Sequence, residues 1–494
     1  MERPGDFLAG RFVQPARPDG VLALSSPADL AQEVARHAFA LAHVDVAVDA
    51  ARVALPGWRR LPRAERADAL RQYQVRLRAR REDIALSIAA EVGKPLWEAR
   101  TEADAMAAKV DVALGEGERY TAPSAIDDLP GEIRWQPHGV MAVVGPFNFP
   151  GHLPNGQIVP ALLAGNTVVH KPSDKAPSTA VWMARCFDEA GLPAGAFNLV
   201  QGAADAGQRL ATHDGVDGVL FTGSAEVGRR ILRDNAERPG RLIALELGGK
   251  NAALAFDDCE LERTARSLAF AAFVTAGQRC TSTSRLVVTA DVATPLVARI
   301  AEIARALRIG YPLDADVFAG PVIGEAARER LFAAQRAARQ AGFEAIVEGG
   351  ATHVTGREGF YVRPAIHRAP DAHAVAPGYR DAELFGPDLA VYVVRDLDEA
   401  LAVAGDTRFG LAASVFTRSR ATFERVVDDL RVGVVHWNCP TTGASARLPF
   451  GGVGDSGNHR PAGVLMGTSC AYPVGVLLDS ETPSALPTWP GMVF

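Results

Sequence analysis

Between about Val44 and Tyr120 apolar residues recur at helical spacing, and beyond Gly139 the pattern changes to short apolar runs separated by amphipathic stretches. In "REDIALSIAAEVGKP", Ile84, Ile88 and Val92 stand every fourth residue, and Gly93 and Pro95 then stop the helix. Ahead of these helices "DFLAGRFV" reads as a short hairpin. From Gly139 to Leu247 the runs "GVMAVVG", "NTVVHK", "FNLV", "DGVLFTG" and "RLIALEL" alternate with helical stretches such as "PSTAVWMARCFDEAGLP". That alternation predicts an α/β fold with a parallel sheet covered on both faces, and a ligand across the carboxyl ends of its strands.

A second α/β half is expected from about Gly248 to Pro449, with "RLVVTA", "VYVVRD", "LAASVFT" and "VGVVHWN" as strands. Its helices are "TPLVARIAEIARAL" and "RATFERVVDDL". "IDDLPGEIRWQPHG" (126–139) breaks the helical pattern with a Pro-Gly turn and an extended run, and the closing "CAYPVGVLL" is extended and apolar. Two halves suit 494 residues, which exceed a single core.

Composition narrows the function. The 52 basic residues against 58 acidic ones leave a net charge of −6, without the basic run that nucleic acid would need. No stretch of eighteen apolar residues occurs, and "MERPGDFLAGRF" has no signal-peptide core, so a cytoplasmic protein off the membrane is expected. The five cysteines (186, 259, 280, 439 and 470) are far apart and lack CxxC pairing; they suit a reducing compartment and neither a metal site nor a disulfide scaffold.

The chemistry centres on "GQRCTSTSR" (277–285), a polar stretch between the helical run "LAFAAFVTAGQ" and the strand-like "RLVVTA". It places Cys280 in a turn, where a thiol is accessible but needs a base or oriented dipoles to become a nucleophile. In "LELGGKN", Glu246 ends a strand before a Gly-Gly turn; in "GPFNFP", Asn148 follows a strand and can offer its amide to an oxyanion. Singly, each has an ordinary reading as an inert thiol, a solvated strand end or a turn former. "FTGSAEVGR" adds Gly223 at a strand end, Ser224 at a helix start and Gly228 one turn in, a setting for a pyrophosphate, although its spacing is not the G-x-G-x-x-G fingerprint.

Taken together and in order, "GPFNFP", "FTGSAEVG", "LELGGKN", "GQRC", "ELFGP" and "PFGGVGDSG" resemble the NAD(P)-dependent aldehyde dehydrogenase superfamily, and the resemblance runs from about Val44 to Leu478. It implies two Rossmann-type domains, an NAD-binding one over 1–125 and 140–246 and a catalytic one over 247–448. A small antiparallel oligomerisation extension over 126–139 and 464–485 would support a homodimer or homotetramer, its last strand pairing with a neighbouring subunit. It implies that Cys280 attacks an aldehyde, Asn148 holds the oxyanion and Glu246 activates water against a thioester. Lys171 and Asp174 would hold the adenosine ribose, an acid at 174 favouring NAD over NADP. Ser173, Gly223, Ser224, Gly228 and Leu247 would complete the cofactor site, with Glu383 on the nicotinamide ribose and Phe385 near the ring.

For substrate, "NFPGHLPNGQIVPALLAGN" and "PFGGVGDSGNHRP" look most like the N-succinylglutamate 5-semialdehyde dehydrogenase branch, an arginine-catabolic activity, with a broader semialdehyde dehydrogenase or a non-catalytic member as alternatives. On that reading Phe147, His152, Asn155, Thr281 and Phe450 line the substrate tunnel, and the Thr442, Gly443 and Ala444 loop offers backbone N–H groups to a carboxylate. Cys439 lies beside that loop, which suggests a reversible link to Cys280.

Overall fold

The computed structural model describes residues 5–127, 129–478 and 489–492. Its first sheet runs, edge to edge, Leu242–Glu246, Gly218–Thr222, Val140–Val144, Thr167–Lys171, Phe197–Leu199, Asp6–Leu8 and Arg11–Val13. The first five strands are mutually parallel and the last two form the antiparallel hairpin expected at "DFLAGRFV". These strands are apolar on both faces because helices cover both faces. The helices Ala42–Arg60, Arg63–Ala79, Arg81–Val92 and Leu96–Leu114 occupy the stretch where helical periodicity predicted them. Gly93 ends the third at φ 80°, and Ile84, Ile88 and Val92 are all buried.

The second sheet runs Glu344–Val347, Ala365–Arg368, Asp388–Val394, Arg285–Thr289, Ala252–Ala255, Ala412–Phe416 and Val434–Trp437, parallel except for its first strand. The first sheet presents its carboxyl ends to the segments that carry Asn148 and Glu246, and the second presents its amino ends to the turn that carries Cys280. Among the described residues no helix is long and apolar enough to cross a membrane.

One hairpin is absent from the sequence reading. Residues 20–39 form a hairpin, Gly20–Ser26 with Asp29–Phe39, that joins neither large sheet. Its turn instead bonds the second half, with Leu30 N–H donating to Glu358 O (2.7 Å) and Phe360 N–H to Pro27 O (2.9 Å). The closing strand Ala471–Leu477 pairs antiparallel with Gly131–Pro137 of its own chain and is the outer strand of that small sheet, so its other edge is open. Positions 1–4, 128 and 479–485 of the expected segments lie outside the described residues.

The entry to the cysteine turn is tightly constrained. The helix Leu261–Phe273 runs into a short 3-10 turn, Val274–Gly277, in which Thr275 (φ 58°) and Ala276 (φ 51°) are left-handed. Gly277 (φ 70°) has the Gly386 carbonyl oxygen 2.2 Å from where a Cβ would stand, so only glycine lets the 383–387 segment lie against this turn. Gly191 also has positive φ (73°) but nothing within 4 Å. Gly191→Ala should cost about 1 kcal/mol, the conformational penalty alone. Gly277→Ala should lower the thermal unfolding midpoint clearly more, which differential scanning calorimetry of the two variants checks.

Candidate active site

Cys280 sits one residue past Arg279 in an open turn and is partly accessible. Asn251 fixes that turn from the neighbouring strand: its Nδ2 donates to the carbonyls of Cys280 (2.7 Å) and Ser282 (2.9 Å), while its Oδ1 accepts from Ala412 N–H. From the first sheet Asn148, 4% exposed, donates through Nδ2 to the Gln278 carbonyl at 2.9 Å. This bond uses one of the amide's two N–H groups and orients the other. Gln278 is anchored in turn, its Oε1 accepting from Ile323 N–H at 2.8 Å.

Glu246 ends the outermost strand of the first sheet, 1% exposed, and neither carboxylate oxygen has a hydrogen-bond partner. Burial pushes its carboxyl well above the usual range. Burial also pushes the Cys280 thiol above its ordinary value; Glu246 and Glu383 raise it further, and Arg279 and the Thr281 N–H oppose them. The Gly-Gly turn after Glu246 brings the chains together: a Cβ on Gly249 would stand 2.8 Å from Cys280 O, and one on Gly248 would stand 1.9 Å from the Glu383 carboxylate. Glu383 accepts from Gly249 N–H (3.1 Å), and its carboxyl is pushed up to about 7, chiefly by burial. The structure thus gathers Cys280, Glu246, Asn148 and Glu383 between the two sheets. Phe385 (φ 51°) meets Phe147 edge to face at 5.8 Å beside them.

The remaining expected cofactor residues line the carboxyl edge of the first sheet. Lys171 ends a strand, its Nζ donating to Pro172 O (2.6 Å) and Gly202 O (2.9 Å), and burial brings its ammonium down to about 8. Ser173 and Asp174 follow on a half-exposed turn, where Ser173 Oγ accepts from Lys175 N–H. Gly223 leads into Ser224, which caps the helix Ala225–Asp234 by accepting from Val227 N–H. Gly228 packs on Leu247; a Cβ there would meet the leucine side chain at 2.7 Å.

Of the expected substrate residues, Thr281 and Thr442 are buried, and Thr442 Oγ1 lacks a partner. Gly443 (φ 83°) is exposed, and Ala444 and Phe450 are half-buried. Thr441 bonds Thr283 side chain to side chain at 2.7 Å, which holds this loop against the cysteine turn. His152 begins the helix His152–Ala164, where burial holds its imidazole well below the usual range, so it is neutral. Asn155 is a correction. It is fully buried, with Oδ1 accepting from Tyr73 OH (2.8 Å) and Nδ2 donating to Met106 O (2.7 Å), so it ties helices together and does not line a tunnel. Cys439 is exposed and Cys280 partly buried, and both thiols are free.

The comparisons agree with this geometry. Residues 15–470 match the aldehyde dehydrogenase family. The chain belongs to that family. It is 43% identical over 497 residues to the N-succinylglutamate 5-semialdehyde dehydrogenase of Chromobacterium violaceum, covering 99% of this chain and 98% of that one. The enzyme of the same name from Chromohalobacter salexigens is also 43% identical, over 91% of each chain. Among solved structures, an NAD-dependent aldehyde dehydrogenase from Sinorhizobium meliloti superposes with a TM-score of 0.92 at 31% identity, covering 99% and 97% of the two chains. A 1-pyrroline-5-carboxylate dehydrogenase from Thermus with bound NAD gives 0.89 at 26%, covering 96% and 92%.

Sequence reasoning missed two groups here. Arg279 reaches Glu98 (2.8 Å) and stands 5.1 Å from the Phe149 ring centre; Asn251 holds the turn by its carbonyls. Both were inside quoted motifs, but their partners come from distant segments. The raised thiol has a checkable consequence at neutral pH. A raised value leaves less thiolate at pH 7 than the few per cent of a free cysteine. In the protein without cofactor, iodoacetamide should modify exposed Cys439 first, and Cys280 labelling should keep accelerating beyond pH 9, as peptide mapping by mass spectrometry will show.

Proposed function

We propose that this chain oxidises an aldehyde to a carboxylic acid with NAD, its substrate being N-succinyl-L-glutamate 5-semialdehyde. The observation that carries the reaction class is the convergence of a thiol, a free amide N–H and an unpaired buried carboxylate on one crevice. The substrate rests on the relatives named above, each near 43% identity over most of its length.

The residues at the carboxyl edge of the first sheet suit a dinucleotide. The capped helix start at Ser224 offers backbone N–H groups to a pyrophosphate, and Lys171 retains one donor for ribose hydroxyls. Asp174 accepts from the same hydroxyls and disfavours a 2′-phosphate. Glu383 would take the nicotinamide ribose, with Phe385 along the ring. When bound, NAD supplies the acceptor for the hydride.

The Cys280 sulfur attacks the carbonyl carbon, and the resulting oxyanion accepts hydrogen bonds from Asn148 Nδ2 and the Cys280 N–H. Loss of hydride leaves a thioester on Cys280. Glu246 then removes a proton from water, whose oxygen attacks the thioester; the C–S bond breaks and the acid departs. A carboxyl raised by burial is a stronger base once ionised, and its ionised fraction grows with pH. Deacylation should therefore quicken toward alkaline pH and slow as pH falls through its raised value. Oligomerisation to a homodimer or homotetramer would cover the open edge of Ala471–Leu477, where Tyr472 and Leu477 are exposed. We place the enzyme in the cytoplasm.

Stopped-flow and steady-state assays test these roles. Glu246→Gln should give a pre-steady-state burst of NADH with slow turnover, and undiminished turnover would remove Glu246 from the mechanism. Cys280→Ala should abolish oxidation yet still bind NAD. Asn148→Ala should lower kcat by about 10²- to 10³-fold, as expected for one oxyanion donor.

A further inference from the structure

Three cations, Lys109, Lys94 and Arg279, lie near enough to His152 to disfavour its charged form. Two of them are matched within the chain. Lys94 Nζ lies 2.6 Å from Glu102 Oε2, and Arg279 lies 2.8 Å from Glu98 Oε1. Lys109 is not matched. Among the described residues no carboxylate reaches its Nζ and no acceptor takes its hydrogens, while burial brings its ammonium down to about 8. A half-buried lysine without a counter-charge in the chain is open to an anion supplied from outside it.

A crevice runs beside Lys109 where such an anion would enter. Lys109 is on the helix Leu96–Leu114, and its side chain lies along Gly156 on the facing helix; a Cβ at 156 would sit 3.4 Å from Cδ and 3.5 Å from Nζ. An alanine at 156 would only touch the lysine, whereas a longer side chain would compete with it for the crevice. Both line a narrow crevice with Thr121, Gly463 and Val464, and its walls carry no acidic side chain. Arg63 at its edge is already paired with Glu118. Gly463 belongs to the strand that pairs with Pro449–Phe450, so the crevice adjoins the loop that touches the cysteine turn through Thr441. In the other direction Gly156 is one helical turn from His152, and His152 follows Asn148 by four residues.

We infer that Lys109 binds a substrate carboxylate remote from the aldehyde, and that Gly156 opens the passage in which it does so. The inference deepens the substrate reading above and rests on it. A site with an unpaired, half-buried cation favours a ligand that brings the anion over one that lacks it.

The test compares semialdehydes with their methyl esters, succinic semialdehyde and N-succinylglutamate 5-semialdehyde each as acid and ester. The wild type should prefer the acids in kcat/KM. Lys109→Met should lower the acid-to-ester ratio by about 10- to 100-fold, the range for a hydrogen bond to a charged group, mainly through KM. Lys109→Arg should restore part of it. Retained NAD binding by Lys109→Met reports that the variant has folded. A ratio near one in the wild type, or an unchanged ratio in Lys109→Met, would overturn the inference. If N-succinylglutamate 5-semialdehyde proves no better than succinic semialdehyde, the substrate assignment fails, while the acid-to-ester ratio still decides for or against Lys109.

Discussion

The cysteine turn is held in place by its own carbonyls, and the rest of the site depends on that. Asn251, at the start of one strand of the second sheet, donates to Cys280 O and Ser282 O, and Asn148, from the first, donates to Gln278 O. A turn has no ladder to fix it, so its unpaired acceptors must be met by side chains or water. Here two amides from two different sheets meet them. The sulfur is thereby set relative to both sheets at once, and Thr275 and Ala276 are kept in a left-handed conformation that is unfavourable on its own.

Burial then sets the chemistry. Glu246 is sealed from water with both oxygens unpartnered, and the thiol beside it is also raised. Burial disfavours the charged form of both groups, and the Glu246 carboxylate disfavours the thiolate further. A fixed, desolvated base next to a fixed thiol needs little reorganisation once a proton has somewhere to go. The same logic extends outward to Lys94, Arg279 and Lys109, where two internal carboxylates serve three cations.

Much of this was legible in the chain because catalysis puts particular residues at element ends. Glu246 before two glycines, Asn148 after an apolar run and Cys280 in a polar turn all announce themselves by breaking a pattern. The parallel sheets were legible for the same reason, since strands covered on both faces read as unbroken apolar runs. The hairpin at 20–39 was not: its strands are mostly half-exposed and mix small apolar with polar residues, so neither period stands out. Asn155 misled because a polar residue near a catalytic asparagine looks like tunnel lining, whereas Tyr73 and Met106, from other helices, claim it. Lys109 was invisible for the opposite reason. A lysine on an amphipathic helix reads as solvated, and only the fold brings Gly156 against it.

The central claim is that Cys280 carries the acyl group between oxidation and hydrolysis. Rapid acid quench of the enzyme with NAD and aldehyde, followed by intact-mass and peptide analysis, tests it most directly. An acyl adduct of the substrate's mass on the peptide containing Cys280, absent without NAD, is the predicted result. No adduct under turnover, or one on Cys439 with Cys280 unmodified, would contradict the account.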